Sequence, residues 1–211
     1  MQKKVLIFDF DGTLADTLPR IVDITNSLAS EFGYPPSSNE DVSQIRQLGA
    51  WQVIQRSGVS IFKLPSLIRR IQKELSKEIE HTKLFSDMAE TLVKLKDNGH
   101  TLGIVSSNSS ENVNKFLEIN HLEHLFDFVV SSTTLFGKHR SLKKIIWQQH
   151  LNLDHVIYIG DETRDIEAAK KIGIKIIAVG WGFNSVEILT TYKPTYLLHS
   201  PLEILRVIDD E

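Results

Sequence analysis

Five short apolar runs recur along the chain: Val5 to Phe8, Leu102 to Val105, Phe126 to Val130, Val156 to Ile159 and Ile174 to Val179. Unbroken runs of this length mark parallel strands that are covered on both faces. Between them the apolar positions fall three and four apart. Met88, Leu92 and Leu95 form one stripe ahead of Gly99, and Val113, Phe116 and Leu117 another. Leu142, Ile145 and Ile146 make a third, and Ile166, Ala169 and Ile172, stopped by Gly173, a fourth. Residues at this spacing share one helix face. The alternation of strand and helix predicts an α/β fold with a Rossmann-like open parallel sheet at its core.

The alternation breaks between about Asp16 and Lys83, where no strand is evident. Ile21, Ile24, Leu28 and Phe32 predict a helix ended by Gly33 and the Pro35-Pro36 pair. Leu64, Leu67, Ile68, Ile71, Leu75 and Ile79 predict another, with Arg69, Arg70, Lys73 and Glu74 on its wet side. The stretch reads as an all-helical insertion after the first strand. It divides the chain into a core of residues 1–15 and 84–211 and an inserted unit of residues 16–83. Trp51 and Trp147 fall within helical patterns and are expected to pack.

Composition narrows the classes. A chain of 211 residues, 41% of them hydrophobic, can bury a core of one domain or slightly more. No apolar run nears the ~20 residues that span a bilayer. Met1-Gln2-Lys3-Lys4 leads into a run that ends in Asp, without a small-residue cleavage site, which argues against a secretory signal. The absence of cysteine excludes disulfides, thiolate metal sites and thiol nucleophiles, and fits a cytoplasmic protein. A net charge of −3 without a basic stripe speaks against nucleic acid or an anionic membrane as partner. A small anionic substrate remains open, because local charges in a cleft outweigh the net value. The eight histidines show no metal-ligand spacing, and His121 and His124 are expected at the surface.

Open α/β sheets bind ligands beyond the carboxyl ends of their strands, and four polar clusters fall there. Asp9-Phe10-Asp11-Gly12-Thr13-Leu14 follows the first run. In extended chain Asp9 and Asp11 project to one side and Phe10 to the other. Carboxylates this close need a cation or a shared proton, and suit nucleophilic attack by one with acid–base work by the other. Gly12 allows a sharp turn and close approach of a ligand. The alternative for this cluster is a helix cap or an Asx turn.

Gly160-Asp161-Glu162-Thr163-Arg164-Asp165 follows the fourth run, and so many acids at a strand tip call for a counter-ion such as Mg²⁺. Asp161 and Asp165 are the candidate ligands. Asp165 has a second reading as the cap of a helix opening at Ile166, and Glu162 one as a solvent-facing acid. Ser106-Ser107-Asn108 can hold phosphate oxygens ahead of a helix near Glu111, or can be turn and cap residues. Lys138, in Phe136-Gly137-Lys138-His139-Arg140, can offset charge between Asp9 and a phosphate, or can be solvated surface.

In order and spacing, Asp9, Ser106, Lys138 and Asp161 resemble the haloacid dehalogenase-like hydrolase superfamily, and the resemblance covers nearly the whole chain. Asp9 to Leu14 is similar to its first motif, Ser106 to its second, Lys138 to its third, and Gly160 to Asp165 to its fourth. The resemblance implies Asp9 as nucleophile, Asp11 as general acid and base, Ser106 on phosphate, and Lys138 steadying nucleophile and phosphoryl group. It implies Mg²⁺ held by Asp9, the Asp11 carbonyl and Asp161, with Asp165 close by. The insertion resembles the family's small helical cap. Val179-Gly180-Trp181-Gly182-Phe183 is similar to a Trp-Gly segment of phosphoglycolate phosphatase-like members, which often carry Thr-Asn where this chain has Ser106-Ser107.

The expected activity is therefore Mg²⁺-dependent hydrolysis of a small phosphorylated metabolite through an aspartyl-phosphate, by a monomer or weak homo-oligomer. Arg46, near the end of a short helix of the insertion, is the candidate substrate contact, against a reading as exposed helix surface. Trp181 either lines the cleft or packs under a loop. Three rivals stand beside the phosphatase. A carbon–halogen hydrolase needs no second acid, and Asp11 speaks against it. A sugar phosphomutase would keep Asp11, and a non-catalytic module would need none of the four clusters.

Overall fold

The computed structural model describes residues 2–131 and 137–211. In chain order, β1 (Val5–Phe8) and the two-residue β2 (Ala15–Asp16) lead into α1 (Leu18–Phe32), α2 (Asn39–Ile45), α3 (Ala50–Ser57) and α4 (Leu64–Glu78). Then β3 (Lys83–Leu84) returns the chain, followed by α5 (Met88–Asp97), β4 (Thr101–Ser106), α6 (Ser110–Ile119) and β5 (Phe128–Ser131). The remainder runs α7 (Lys138–Gln148), β6 (Val156–Gly160), α8 (Thr163–Ile172), β7 (Lys175–Val179), α9 (Val186–Thr191), β8 (Tyr196–Leu198) and α10 (Leu202–Asp209).

Among the described residues the main sheet holds six strands in the order β5-β4-β1-β6-β7-β8, every neighbouring pair parallel. The α/β, Rossmann-like reading of the sequence is borne out. Alternate residues feed opposite faces, as the pleat requires. Leu6, Phe8, Ile157 and Ile159 pack with Met88 and Leu92 of α5, Phe116 of α6 and Ile204 of α10. Ile7, Val105, Tyr158 and Ile176 pack with Leu142 and Ile145 of α7 and Ile166 and Ala169 of α8. Because β1 pairs with β4 on one side and β6 on the other, the strand order reverses at β1. The crevice beyond its carboxyl end is the topological switch point where such sheets bind ligands.

The helices α1 and α4 bury a separate cluster, Ile24, Leu28 and Phe32 against Leu67 and Leu75. The expectation of no strand in this stretch needs correction at its ends. Ala15 pairs with Leu84 and Asp16 with Lys83 in a small antiparallel ribbon, separate from the main sheet, where the chain leaves and re-enters the core. Two residues are too few to show a period of two in sequence.

Other boundaries shift by local chemistry. The third apolar run forms β5, which opens at Phe128 and not Phe126; just ahead of it the Asp127 carboxylate turns to β4 and accepts from Leu102 N at 2.9 Å. Beyond β7 a further edge strand, β8, extends the sheet. Trp147 is 75% and Trp51 47% exposed, against the expectation that both pack. One position past Ile146, Trp147 lies roughly 100° around α7 from the buried stripe. His121 and His124 are exposed, as expected. No helix among the described residues is long and apolar enough to cross a membrane.

Candidate active site

Phe10 anchors the segment after β1. It is fully buried and meets Phe116 edge to face, ring centroids 5.1 Å apart at 83°. Such a pair stabilises by about 0.5–1.5 kcal/mol beyond area burial. With Phe10 held in the core, Asp9 reaches Lys138 and Asp11 reaches Asn108. Gly12 then turns the chain at φ 75°, and a Cβ on it would stand 2.1 Å from Asp161 Oδ2. A Cβ on Gly182 would stand 2.3 Å from the same oxygen, so two backbone segments close on Asp161 only because both are glycine.

Three buried carboxylates converge at this point. Ligand oxygens of Asp9, Asp161 and Asp165 lie within 4.8 Å of one another, and the three residues are at most 1% exposed. The Lys138 ammonium stands among them, 2.5 Å from both Asp9 Oδ2 and Asp165 Oδ1. Asp9 Oδ1 accepts from Phe10 N at 2.8 Å. Asp161 is held by neutral donors, Thr13 Oγ1 at 2.8 Å and Phe183 N at 2.6 Å. Asp165 Oδ2 accepts from Glu162 N at 3.0 Å, closing the first turn of α8.

The electrostatics follow from burial. Asp9 is pushed up to about 7 by burial, against the pull of the Lys138 charge and with Asp165 adding to the rise. Asp161 is raised well above the usual carboxylate range by burial, with Glu162, Asp9 and Asp165 adding repulsion. Burial alone would lower Lys138, but Asp165 and Asp9 outweigh it and hold the ammonium above the ordinary lysine value. Two cations, Lys138 and the part-buried Arg164, face four buried acids, Asp9, Asp161, Glu162 and Asp165, which leaves excess negative charge with only oxygen ligands around it. That donor set suits a hard divalent cation.

Asp11 stands apart from this cluster. The Asn108 amide donates to both of its oxygens at 3.1 Å, and burial pushes it up to about 6. A carboxyl group so placed can hold or release a proton near neutral pH.

The family profile described as haloacid dehalogenase-like hydrolase matches residues 6–179. This chain belongs to that family. It is 38% identical over 205 residues to a phosphoglycolate phosphatase of Synechococcus elongatus, covering 97% of each chain. A phosphoglycolate phosphatase of Aliivibrio fischeri is 27% identical, with 90% of each chain covered. A haloacid dehalogenase-like family hydrolase from Streptococcus pneumoniae shares the fold, with a TM-score of 0.80, 24% identity and 98% of each chain covered. The chain is a hydrolase of this haloacid dehalogenase-like family, of the phosphatase type.

Within that family frame the structure gathers Asp9, Lys138, Asp161 and Asp165, with Asp11, Gly12 and Asn108 beside them. Asp165 is not the cap of a helix opening at Ile166: α8 opens at Thr163 behind Glu162, and Asp165, at its third position, accepts from the Glu162 main-chain N–H to close the first turn. Lys138 opens α7 and is 2% exposed, not solvated surface; Phe136, quoted with it, lies outside the described residues. Ser106 Oγ accepts from Asn108 N at 3.0 Å, a turn contact, while the Ser107 carbonyl accepts from Gln72 Nε2 at 2.6 Å.

Two readings change, those of Glu162 and Arg46. Glu162 does not face solvent: it is 9% exposed and paired with Arg164. Arg46 is not exposed helix surface, since its guanidinium donates to Phe183 O at 3.1 Å and Gly182 O at 3.0 Å. Trp181 is half-buried, tilted on Phe85, with its indole N–H donating to Thr13 O at 3.1 Å. Sequence reasoning gave no role to Thr13 or Asn184. Asn184 accepts from Thr163 N and donates to the Arg46 and Leu48 carbonyls, tying the insertion to the start of α8. A lone Asn past a strand carries no signal of that kind.

Proposed function

We propose that this chain hydrolyses a small-molecule phosphomonoester with Mg²⁺ through an aspartyl-phosphate, an acyl phosphate formed on Asp9, and that 2-phosphoglycolate is the first substrate to test. The convergence of Asp9, Asp161 and Asp165 around Lys138, at the switch point of the sheet, carries this reading. The 38% identical relative named for phosphoglycolate supports the substrate.

Asp9, Asp161 and the Asp11 main-chain carbonyl would hold the ion, with Asp165 beside them. When bound, Mg²⁺ supplies positive charge next to the nucleophile and the transferring phosphoryl group. Asp9 attacks phosphorus in line, the phosphorus–oxygen ester bond breaks, and Asp11 gives its proton to the departing alkoxide. Asp11, now a carboxylate, takes a proton from water; that water attacks phosphorus, and Asp9 leaves as a free carboxylate. Lys138 keeps Asp9 oriented and offsets charge as the phosphoryl group approaches. Ser106 to Asn108, at the tip of β4, line the phosphate side. Residues 16–83 act as a cap that closes on the substrate, hinged at the β2–β3 ribbon.

The test is phosphate release from p-nitrophenyl phosphate and 2-phosphoglycolate by purified protein. Turnover that requires Mg²⁺ and disappears with chelator supports the reading. Folded protein that turns over no phosphate ester, or that moves phosphate between sugar positions faster than it hydrolyses, overturns it.

A further inference from the structure

Asn112 lies on α6, away from the loops that bear the carboxylates, yet it is 3% exposed and its amide reaches in two directions. Nδ2 donates to Asn108 Oδ1 at 2.9 Å and to the main-chain carbonyl of Gln72, on α4, at 3.1 Å. The orientation of both amides is fixed from the ends. The Gln72 carbonyl can only accept, so Asn112 must turn its nitrogen towards α4. At the other end the Ser109 main-chain N–H can only donate, at 2.8 Å, so Asn108 must turn its oxygen towards it. That leaves the Asn108 nitrogen facing Asp11, 3.1 Å from each carboxylate oxygen. A second tie runs beside the first, from Gln72 Nε2 to Ser107 O at 2.6 Å.

Gln72 of α4 is thus bonded once to the loop after β4, at Ser107, and once to Asn112 of α6, which holds Asn108 of that loop, and Asn108 in turn holds Asp11. We propose that Gln72 and Asn112 form a latch through which the docking of the inserted helices sets the orientation of the Asp11 carboxyl group. Undocking α4 removes the acceptor of one Asn112 N–H and the donor of the Ser107 carbonyl together. Asn108 then loses its outer support, and the acid is no longer held towards the leaving oxygen. Both are positioning residues, acting through Asn108. This rests on the reading of Asp11 as general acid and base given above.

The leaving group supplies the test. p-Nitrophenolate departs without a proton, whereas the alkoxide of 2-phosphoglycolate or glycerol 3-phosphate needs one, so misplacing Asp11 harms only the alkyl esters strongly. Gln72→Ala, Asn112→Ala and the double variant are compared with wild type by kcat/KM, which reports the first phosphoryl transfer. The expected result is a loss of about tenfold or more on the alkyl phosphate and less than about threefold on p-nitrophenyl phosphate. The double variant falls no further than the weaker single, because both act in one latch. Equal losses on the two esters, or none on the alkyl phosphate, overturn the latch while the phosphatase reading stands. Wild type that releases phosphate from neither overturns the phosphatase reading and the latch with it. Gln72→Ala sits on a half-buried helix position that alanine favours, so it carries the same comparison if Asn112→Ala does not fold.

Discussion

The Thr13 hydroxyl donates to Asp161 Oδ1 across 2.8 Å, joining loops 148 positions apart in the chain. The bond fixes which way the Asp161 carboxylate faces, and Thr13 is fully buried. Thr13→Val keeps the shape and removes the donor. If Asp161 is a ligand, the Mg²⁺ concentration for half-maximal activity rises about 10–100-fold, the usual effect of losing a partner behind a metal ligand. A magnesium titration of activity at saturating substrate checks this, and an unchanged midpoint counts against Asp161 as a ligand.

Lys138 is ion-paired with both Asp9 and Asp165. Lys138→Met leaves these acids buried without their ion-pair partner, which costs about 3–5 kcal/mol when one partner of a buried pair is removed. The urea midpoint of the metal-free variant falls accordingly. Magnesium, binding only the native state, recovers part of the loss. Activity stays below about one hundredth of wild type, because the charge beside the phosphoryl group is gone.

Asp9→Asn separates activity from stability. The substitution removes the nucleophile, and turnover falls by more than about a thousandfold. It also removes one of three crowded carboxylates whose charged form burial opposes. The metal-free variant is therefore at least as stable as wild type in urea. A loss of stability matching the loss of activity would mean that the Asp9–Lys138 pair holds the fold together.

The fold was legible where burial is symmetric. β1 and β6 read as apolar runs because helices cover both faces, and the acids ending those runs, Asp9 and Asp161, were legible for the same reason. β8 was not: three residues at the sheet edge between Pro194 and Pro201 make no run. The supports of the site escaped as well. Gln72 meets Ser107 across 35 positions and Arg46 meets Gly182 across 136, and neither partner has a period or a motif. Amide and guanidinium groups bonded to main-chain carbonyls leave no pattern in sequence, because any residue supplies the carbonyl.

His100 gives the stability a pH dependence remote from the active site. The ring is buried, its Nδ1 accepts from Lys4 N at 3.1 Å, and Nε2 finds no partner among the described residues. Burial holds the imidazole below the ordinary value of 6.5, with Asp209 opposing and Lys4 adding. Because the folded state binds the proton more weakly than the unfolded, the contribution is present above 6.5 and is lost as pH falls through the folded value. His100→Asn, which keeps an acceptor for Lys4 N, flattens that part of the curve. Urea unfolding of both proteins at pH values on either side of 6.5 checks it, and parallel curves rule His100 out as the source.

Arg46 separates substrate contact from support. Were its guanidinium a substrate contact, Arg46→Ala would raise KM and leave the metal requirement alone. In the structure it donates to the Gly182 and Phe183 carbonyls, and the Phe183 N–H holds Asp161 Oδ2 at 2.6 Å. Its own carbonyl accepts from Ser185 N at 2.8 Å and Asn184 Nδ2 at 3.2 Å, so the side chain closes a two-way clasp between the insertion and the loop after β7. Arg46→Ala removes the side-chain half and keeps the main-chain half, so the fold survives and the loop loosens. The expected outcome is a weaker response to Mg²⁺, about tenfold in the activating concentration, with KM at saturating metal changed less than about threefold. Lys cannot restore it, because a single ammonium does not reproduce the two-pronged geometry of a guanidinium on adjacent carbonyls. A KM increase at saturating Mg²⁺ with an unchanged metal midpoint would instead return Arg46 to the substrate.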